Sequence, residues 1–374
     1  MQLNELAAKM VGIGFVGPSL TAEARALIGR GVRNVILFSR NVESPDQLAN
    51  LAFECKAAAA GGSPLMMSVD QEGGRVLRMR EPFTLMPSMR QGGKVGDEKL
   101  ARGVGRILAR ELRAVNFDMD LAPVVDVDTN PGNPVISSRS FGGDAQLVAR
   151  LGAAVIRGLQ ENGVAACAKH FPGHGDTNKD SHHELPTLPD HDLARLERIE
   201  LPPFVAAIEA GVASVMSSHV IYSPIDPTYP GTLSRAILDD LLRKRLGFDG
   251  LVMSDDMQMK AIADHHGFDD AIVHGANAGI DLFWICHSVE LQNRAIDVLI
   301  RAAESRALPR ERLEDASRRI DRVFAQYVKS AKREADMSVI GCEEHRAIAA
   351  EIDRRAGEDA VHDDPTERFV RQQT

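Results

Sequence analysis

A single (β/α)8 barrel of the TIM type, followed by a short C-terminal tail, is predicted by three observations on the 374-residue sequence. Short runs rich in Val, Ile and Leu alternate with longer segments of helical period, a pattern typical of parallel strands joined by crossover helices. Eight such runs are present, and their spacing fits a barrel of about 250 residues enlarged by insertions. The hydrophobic content of 44% is high enough for a core of that size.

The predicted strands follow one another at regular intervals along the chain. In order they cover residues 12–17, 34–38, 65–70, 117–124, 164–170, 214–220, 250–256 and 280–286. The segments between them, such as 44–60 and 97–115, show the period of amphipathic helices. We therefore predict one domain over residues 1–335.

The C-terminal tail, residues 336–374, differs in composition from the barrel. After a helix predicted over 310–335, the tail offers one short amphipathic helix near 343–356 and then a polar segment. Polar chain ends without apolar periodicity bury too little surface to order themselves. We expect the tail to be helical at first and partly disordered towards its end.

Charge and composition exclude several classes of function. The formal net charge of −9 disfavours binding to nucleic acid or to an anionic membrane, since both need a concentrated excess of Lys and Arg. The four cysteines are far apart, so neither a zinc knuckle nor a disulfide framework is indicated. The start of the chain has no basic leader, and no apolar run reaches about 18 residues. We expect a soluble, cytoplasmic protein with a small, mostly neutral substrate.

Charged and polar residues occur where the predicted strands end. In a (β/α)8 barrel the active site lies at this end of the strands. A strand that ends on a charged residue has to place that charge in a polar pocket or in water. The alternative to an active site is therefore that water solvates these charges. The residues concerned are Asp70, Asp126, Asp128, Lys169, His170, His219, Asp255 and Asp256.

The segment KHFPGHGDTNKDSHHELP, residues 169–186, contains four histidines. A metal site, a polar structural loop and a proton-transfer device are all compatible with it. His170 and His174 have the spacing of a helical metal pair, but Pro172 and the neighbouring glycines prevent a helix there. In the triplet Asp180-Ser181-His182, the carboxylate could orient the imidazole and stabilise its protonated form.

The end of the seventh predicted strand, GFDGLVMSDDMQM, supplies a candidate nucleophile. Asp255 at the tip of this strand could attack a sugar carbon and form a covalent ester. The alternative is that these aspartates cap a loop or helix, and Asp256 fits that role better.

Two further stretches are typical of sites that bind sugar hydroxyls. Residues 69–78 contain Asp70, Arg75 and Arg78, and residues 135–144 present Arg139 on a loop. Carboxylates and guanidinium groups hold hydroxyls in fixed directions. For Arg75, a purely structural role in holding loops together is an equally good interpretation.

Six motifs in this order resemble glycoside hydrolase family 3, and within it the cytoplasmic β-N-acetylglucosaminidases, or β-hexosaminidases, of cell-wall recycling (the NagZ type). The resemblance extends from about residue 10 to residue 335. The motifs are ILFSRNVESPDQL, SVDQEGGRV, NPVISSRSFG, KHFPGHGDTNKDSH, SSHVIYS and LGFDGLVMSDDMQM. The resemblance implies that residues 1–335 form a catalytic barrel that acts on a carbohydrate.

The resemblance also implies roles for individual residues. Asp255 would be the nucleophile and His182 the general acid/base, with Asp180 as the partner of His182. No metal and no cofactor would be needed. The non-reducing GlcNAc would be bound by Asp70, Arg78, Arg139, Lys169 and His170. The role of His174 stays open, with a structural role favoured over a chemical one, and His183 would lie at the surface.

The sequence departs from the recycling enzymes at several points, and these leave alternatives open. A serine precedes Arg139 where many such enzymes have an acidic residue, and residues 343–355 resemble a linker to a second domain, so the tail is interpreted as a vestigial linker. The substrate could be a GlcNAc-anhydro-muropeptide or a chitooligosaccharide, and phosphate could replace water as the acceptor. More remote alternatives are a metal-dependent hydrolase and a non-catalytic sugar-binding barrel. We expect a monomer.

Overall fold

Eight parallel strands close into a barrel in the computed structural model, which describes residues 2–181, 184–332, 336–357 and 364. These strands are β1 Val11–Ile13, β2 Asn34–Leu37, β3 Met66–Val69, β6 Met119–Asp120, β7 Ala165–Phe171, β9 Ser214–Ser217, β11 Leu251–Asp256 and β12 Leu282–Ile285. Each pairs with the barrel strand next along the chain, and β12 closes on β1. The predicted barrel is confirmed, with all eight strands.

Four short strands lie outside the barrel, namely β4 Gln71–Gly73, β5 Val76–Leu77, β8 Thr187–Leu188 and β10 Ile221–Tyr222. β4 pairs with β5 in an antiparallel ribbon, and β8 pairs with β10. The ribbon directly follows β3, and β8 and β10 follow β7 and β9. These short strands therefore lie at the end of the barrel at which the barrel strands finish.

Side chains alternate along each barrel strand between the interior and the surrounding helices. On β2, Val35 and Leu37 belong to the core between barrel and helices, whereas Ile36 belongs to the cluster that fills the barrel. Because both faces are covered, the strand is buried along its whole length. This two-sided burial explains why the strands are almost continuously apolar in sequence.

Helices surround the barrel and connect its strands. They are α1 Leu3–Lys9, α2 Ala22–Arg30, α3 Pro45–Ala57, α4 Met89–Val95, α5 Glu98–Ala114, α6 Ala145–Glu161, α7 Leu193–Arg198, α8 Leu201–Glu209, a π-helix Ala236–Arg245, α9 Lys260–Ala263, α10 Phe268–Ala278, α11 Val289–Glu304, α12 Arg310–Tyr327 and α13 Glu343–Ala356. The side chains of Ser44, Asp97 and Asp144 accept hydrogen bonds from the first turns of α3, α5 and α6. Such N-caps fix where these helices begin.

Two predicted elements are longer than the structure allows. The helix predicted over 310–335 ends at Tyr327, because Val328 is extended and the amide of Lys329 bonds to Asp118 instead. The strand predicted over 117–124 is reduced to Met119–Asp120 in β6. Pro123 lacks an N–H group, so it cannot continue the ladder.

Helix α12 closes the end of the barrel at which the strands begin. Four of its residues, Ile320, Val323, Phe324 and Tyr327, belong to the same apolar cluster as the barrel interior. Arg312 of α12 also bonds to Asp281, directly before β12. The opposite end of the barrel is left accessible.

The helix predicted near 343–356 is present as α13, and it packs against α4 and α5. His345 of α13 is fully buried, and its Nδ1 lies 2.8 Å from a carboxylate oxygen of Glu111 on α5. Gln91 of α4 donates to Asp353 near the other end of α13. No helix in the described part of the chain is long and apolar enough to cross a membrane.

Candidate active site

A pocket lies at the end of the barrel where the strands finish. Its walls combine apolar and charged side chains. The charged and polar residues that line it are Asp70, Arg139, Lys169, His170, His174, Ser181, Asp255, Asp256 and His287. The apolar part includes Ile36, Phe38, Leu121, Val135, Met216, Met259 and Trp284.

The expected ring of polar residues is only partly assembled around this pocket. Asp126 lies behind the pocket, bonded to His170. Asp128 pairs with Arg90 on α4, and His219 bonds to Thr232 and to the carbonyl of Asp256. The remaining five members of the predicted ring, Asp70, Lys169, His170, Asp255 and Asp256, line the cavity.

Glu72 organises the cationic side of the pocket. Its two carboxylate oxygens accept from Nε and Nη2 of Arg139, both at 2.8 Å, and Nζ of Lys169 lies 2.6 Å away. Burial alone would raise the pKa of Glu72, but the two cations hold it well below its usual range. Glu72 therefore stays ionised, and its two hydrogen bonds hold Arg139 in one orientation.

Lys169 links this pair to Asp70 at the end of β3. Its Nζ donates to Asp70 at 2.7 Å, and the Lys169 side chain is only 2% exposed. Burial would lower the pKa of Lys169, but Asp70 and Glu72 together raise it. Asp70 itself is reached by the pocket, so its carboxylate can accept a hydrogen bond from a bound hydroxyl.

Asp126 fixes the orientation of His170. Its Oδ2 lies 2.7 Å from Nδ1 of His170, and the backbone amides of His170 and His174 donate to the same carboxylate. The pKa of Asp126 would be raised by burial, but it is lowered by His170. Nε2 of His170 lies 3.4 Å from Nη2 of Arg139, where the guanidinium can donate to it.

Two adjacent carboxylates at the end of β11 have different surroundings. Asp256 bonds to the amides of Gln258 and Cys286, and its Oδ2 lies 3.1 Å from Nε2 of His287. Asp255 is half-buried, lines the pocket, and accepts from the amide of Asp256. Both carboxylates therefore line the pocket, and Asp256 also supports the loop.

The loop after β7 is fixed to the rest of the mouth along its first half. The side chain of Asn133 donates to the carbonyl of His174 and to Thr177. A Cβ at Gly175 would lie 1.8 Å from the carbonyl oxygen of Val127, so the two backbones touch. Ser181 lines the pocket. The loop therefore delivers its second half to the mouth of the barrel.

His174 takes a structural position within this loop. It is 2% exposed, and its two ring nitrogens lie 2.8 Å from Oγ1 of Thr177 and 3.1 Å from Oγ of Ser181. Burial, with a smaller contribution from His170, lowers the pKa of His174 to about 4. The ring is therefore neutral near pH 7, and it ties Ser181 to the loop.

The proposed proton-transfer pair is described only in part. Asp180 is half-buried and directly precedes Ser181 at the pocket. His182 and His183 lie outside the described residues. The general acid/base therefore stays a prediction that rests on the sequence and on the position of Asp180 and Ser181.

Arg75 and Arg78 differ in the contacts they make. Arg75 donates to the carbonyls of Val135 and Ile136 and so holds the loop before Arg139, the structural role considered for it. Arg78 has a fully buried side chain, and its Nη2 lies 3.7 Å from Oδ2 of Asp70. Arg78 also pairs with Asp364 of the tail.

Two supporting residues of the site were not singled out from the sequence. Glu72 holds Arg139 in place and His287 holds Asp256. His287 directly follows the eighth predicted strand, so the strand-end rule could have found it. Glu72 stands two positions after Asp70 in a quoted motif, but its partner Arg139 is 67 residues away, which no local pattern shows.

A metal could be held in principle by a second group of residues. Cys342, Glu344 and His345 at the start of α13 bring their ligand atoms within 4.8 Å of one another. However, Glu344 already pairs with Arg106 and Arg110, whose positive charges oppose a cation. None of the three lines the pocket described above, so this group has no part in the candidate active site.

Comparison with known proteins agrees with the fold. Residues 3–323 match the N-terminal domain of glycosyl hydrolase family 3. The chain is 43% identical over 271 residues to a β-hexosaminidase of Thiobacillus denitrificans, covering 71% of this chain and 74% of the relative. The chain belongs to glycosyl hydrolase family 3, and it is a glycoside hydrolase.

Two solved structures are similar over most of the chain. A family 3 β-N-acetylglucosaminidase from Paenibacillus sp. str. FPU-7 superposes with a TM-score of 0.91 at 40% identity, covering 95% of this chain and 69% of that one. NagZ from Neisseria gonorrhoeae, in complex with N-trifluoroacetyl-D-glucosamine, gives 0.78 at 32% identity, covering 93% and 98%. The resemblance noted in the sequence is thereby confirmed.

Proposed function

We propose that the protein is a retaining exo-β-N-acetylglucosaminidase that removes a terminal β-1,4-linked GlcNAc. The observation that carries this proposal is that Asp255 lines the same pocket as a pre-assembled set of donors and acceptors. The names of the similar proteins, β-hexosaminidase and β-N-acetylglucosaminidase, support the same substrate class.

In the first step, the carboxylate of Asp255 attacks the anomeric carbon while protonated His182 donates its proton to the departing glycosidic oxygen. A covalent glycosyl-aspartate forms and the aglycone leaves as an alcohol. In the second step, neutral His182 takes a proton from water, and the water oxygen displaces Asp255. Two inversions at the anomeric carbon give GlcNAc with the original β configuration.

Asp180 acts in this proposal as the partner of His182. A carboxylate that accepts the second imidazole N–H fixes the tautomer and stabilises the positive charge that develops on the ring. Asp180 also lies within electrostatic range of Arg75. The Asp180 carboxylate therefore lies near the mouth of the barrel, on a loop in which His174 contacts Ser181.

The sugar is recognised by Asp70, Arg78, Arg139, Lys169 and His170. Glu72 and Asp126 already orient three of these side chains, so little side-chain freedom is lost when the sugar binds. The donors of Arg139 and Lys169 and the acceptor of Asp70 suit the alternating donor and acceptor character of sugar hydroxyls. Neither step needs a metal or another cofactor.

The wider role proposed is cell-wall recycling in the cytoplasm, with GlcNAc-anhydro-muropeptides from peptidoglycan as substrates and a monomer as the active form. Scavenging of chitooligosaccharides is the alternative. Comparing kcat/KM for a GlcNAc-anhydro-muropeptide and for chitobiose tests this choice. We expect the higher value for the muropeptide, and a higher value for chitobiose would contradict recycling.

One assay tests the chemistry. Purified protein is incubated with a chromogenic β-GlcNAc glycoside, with or without phosphate and with or without a chelator. We expect release of β-configured GlcNAc at equal rates in every arm. GlcNAc-1-phosphate would identify a phosphorylase, loss of turnover with the chelator would identify a metal-dependent hydrolase, and no turnover in any arm would favour a sugar-binding barrel.

A further inference from the structure

The tail places a carboxylate at the edge of the sugar-binding residues. Asp364 pairs with Nη1 of Arg78, and its side chain is only 8% exposed. Arg78 in turn approaches Asp70, which bonds to Lys169 inside the pocket. Asp364 is therefore separated from a pocket-lining carboxylate by a single guanidinium group.

Buried cations and carboxylates lie together on one side of the pocket. Arg78, Arg139 and Lys169 are cations with side chains at most 5% exposed, and in the described part of the chain they contact the carboxylates of Asp70 and Glu72. Asp126 is engaged with His170. Burial raises the pKa of Asp120 well above its usual range.

Asp364 adds a carboxylate to this group of buried charges. Buried cations are costly unless they are paired, and Asp364 pairs with Arg78. Arg139 and, at the rim, Arg75 also lie within electrostatic range of Asp364. Its effect is thus directed at the guanidinium groups on one side of the pocket.

We propose that Asp364 is a positioning residue of the sugar-binding site, which holds the guanidinium of Arg78 beside Asp70. The inference rests on the proposed function, because that function assigns Arg78 and Asp70 to the sugar. The Arg78 side chain is fully buried and does not line the pocket, so Asp364 acts through Arg78 on Asp70, which does. A sugar hydroxyl is neutral and cannot replace the carboxylate as a counter-charge.

The first test separates binding from chemistry. Asp364→Ala should raise KM for a chromogenic β-GlcNAc glycoside about tenfold, as expected for loss of one charge-assisted hydrogen bond, with kcat changed less than about twofold. Asp364→Glu keeps the charge and should restore part of the loss. Glu351→Ala removes an acidic side chain of α13 that pairs with Arg354 and serves as the control, with KM unchanged.

The second test asks whether Asp364 acts through Arg78. In an Arg78→Ala background, adding Asp364→Ala should change kcat/KM less than about twofold, since residues that act through one contact are not additive. Additive losses would contradict the inference. A KM that is unchanged in Asp364→Ala, or lower because the carboxylate competes with the sugar, would also contradict it.

Failure of the inference can be told apart from failure of the proposed function. If the wild-type protein turns over the glycoside and Asp364→Ala has the same KM, only the inference is wrong. If the wild-type protein has no turnover, the proposed function is wrong, and calorimetric titration with GlcNAc then tests the inference. Equal affinity of wild type and Asp364→Ala for GlcNAc would reject it.

Discussion

Both ends of the barrel bury carboxylates among cations, yet the two ends differ in what surrounds those carboxylates. Where the strands begin, Asp281 is fully buried and is contacted by Arg243, Arg312 and Arg319, with a further bond from the amide of Val252. Asp118, before β6, is held in the same way by Lys56 and Arg113.

Where the strands end, the carboxylates have one side turned to a cavity. Asp70 bonds to Lys169 and Asp255 accepts from an amide, but both also line the pocket. A carboxylate enclosed by partners stabilises the fold, whereas one that faces a cavity can act on a ligand. The role of a carboxylate in this barrel therefore depends more on whether it lies at the beginning or the end of a strand than on its residue type.

Asp255→Asn should have the largest effect on activity and none on stability. Loss of the nucleophile should lower kcat by about 10⁴-fold, in the range seen for other enzymes that lose a catalytic nucleophile, while Tm and binding of GlcNAc stay unchanged. Asp256→Asn is the matched control, because Asp256 contacts His287 and amides of the loop. Unchanged turnover in Asp255→Asn would reject the proposed nucleophile.

Asp281→Asn should show the opposite result. Three arginines lose a buried counter-charge, which should lower the free energy of unfolding by about 3–5 kcal/mol, while kcat of the folded protein is preserved. Asp249→Asn is the control, since Asp249 also pairs with Arg319 but its side chain is 67% exposed. Its loss should stay below about 1 kcal/mol. Denaturant unfolding at pH 7 measures both variants.

The acid sensitivity of the two ends should also differ. The pKa of His174 is about 4 in the folded protein, below the value of about 6.5 for an unfolded histidine. Between these values the unfolded chain binds a proton that the folded chain does not, so stability is lost as the pH falls from about 6.5 to 4. The loss from His174 amounts to about 3 kcal/mol.

His174→Gln should remove most of this loss, which unfolding measured at pH 7 and at pH 4.5 can show. The pKa of Asp281 would be raised by burial, but the arginines lower it, so its contribution is lost only at a pH below about 4. The stability lost between about pH 6.5 and pH 4 should therefore come from His174, at the end of the barrel where the strands finish, and not from Asp281. Equal acid sensitivity of wild type and His174→Gln would contradict the assignment.

Lys56→Met should have the smallest effect. Asp118 keeps Arg113 and the amides of Met67 and Lys329 as partners after the change. We expect a loss of about 1–2 kcal/mol in the free energy of unfolding, with KM and kcat unchanged. A large loss of activity would show that the two ends of the barrel are coupled.

The eight strands could be predicted because burial on both faces makes each one a short apolar run bounded by polar residues. The position of Asp70, Lys169 and Asp255 at one edge could be predicted as well, since parallel strands all end on the same side. The roles given to the site residues themselves stay predictions, and His182 lies outside the described residues.

The supporting contacts could not be predicted from the sequence. Glu72 meets Arg139 because two loops from different strands converge, and the spacing of 67 residues carries no local signal. Asp364 meets Arg78 across 286 residues. The helix predicted over 310–335 was too long because the amide of Lys329 bonds to Asp118. The strand predicted over 117–124 was too long because Pro123 has no N–H group.

The distribution of the four cysteines has a practical consequence. Cys55, Cys167 and Cys286 are buried, and burial raises their pKa values, to about 12 for the first two. Cys342, at the start of α13, is half-buried. Because thiolates are the reactive form, a maleimide dye should attach to Cys342 alone in the native protein. The number of dyes per chain would then rise from one to four only as molecules unfold, so mass spectrometry of labelled samples would count unfolded molecules without any mutation.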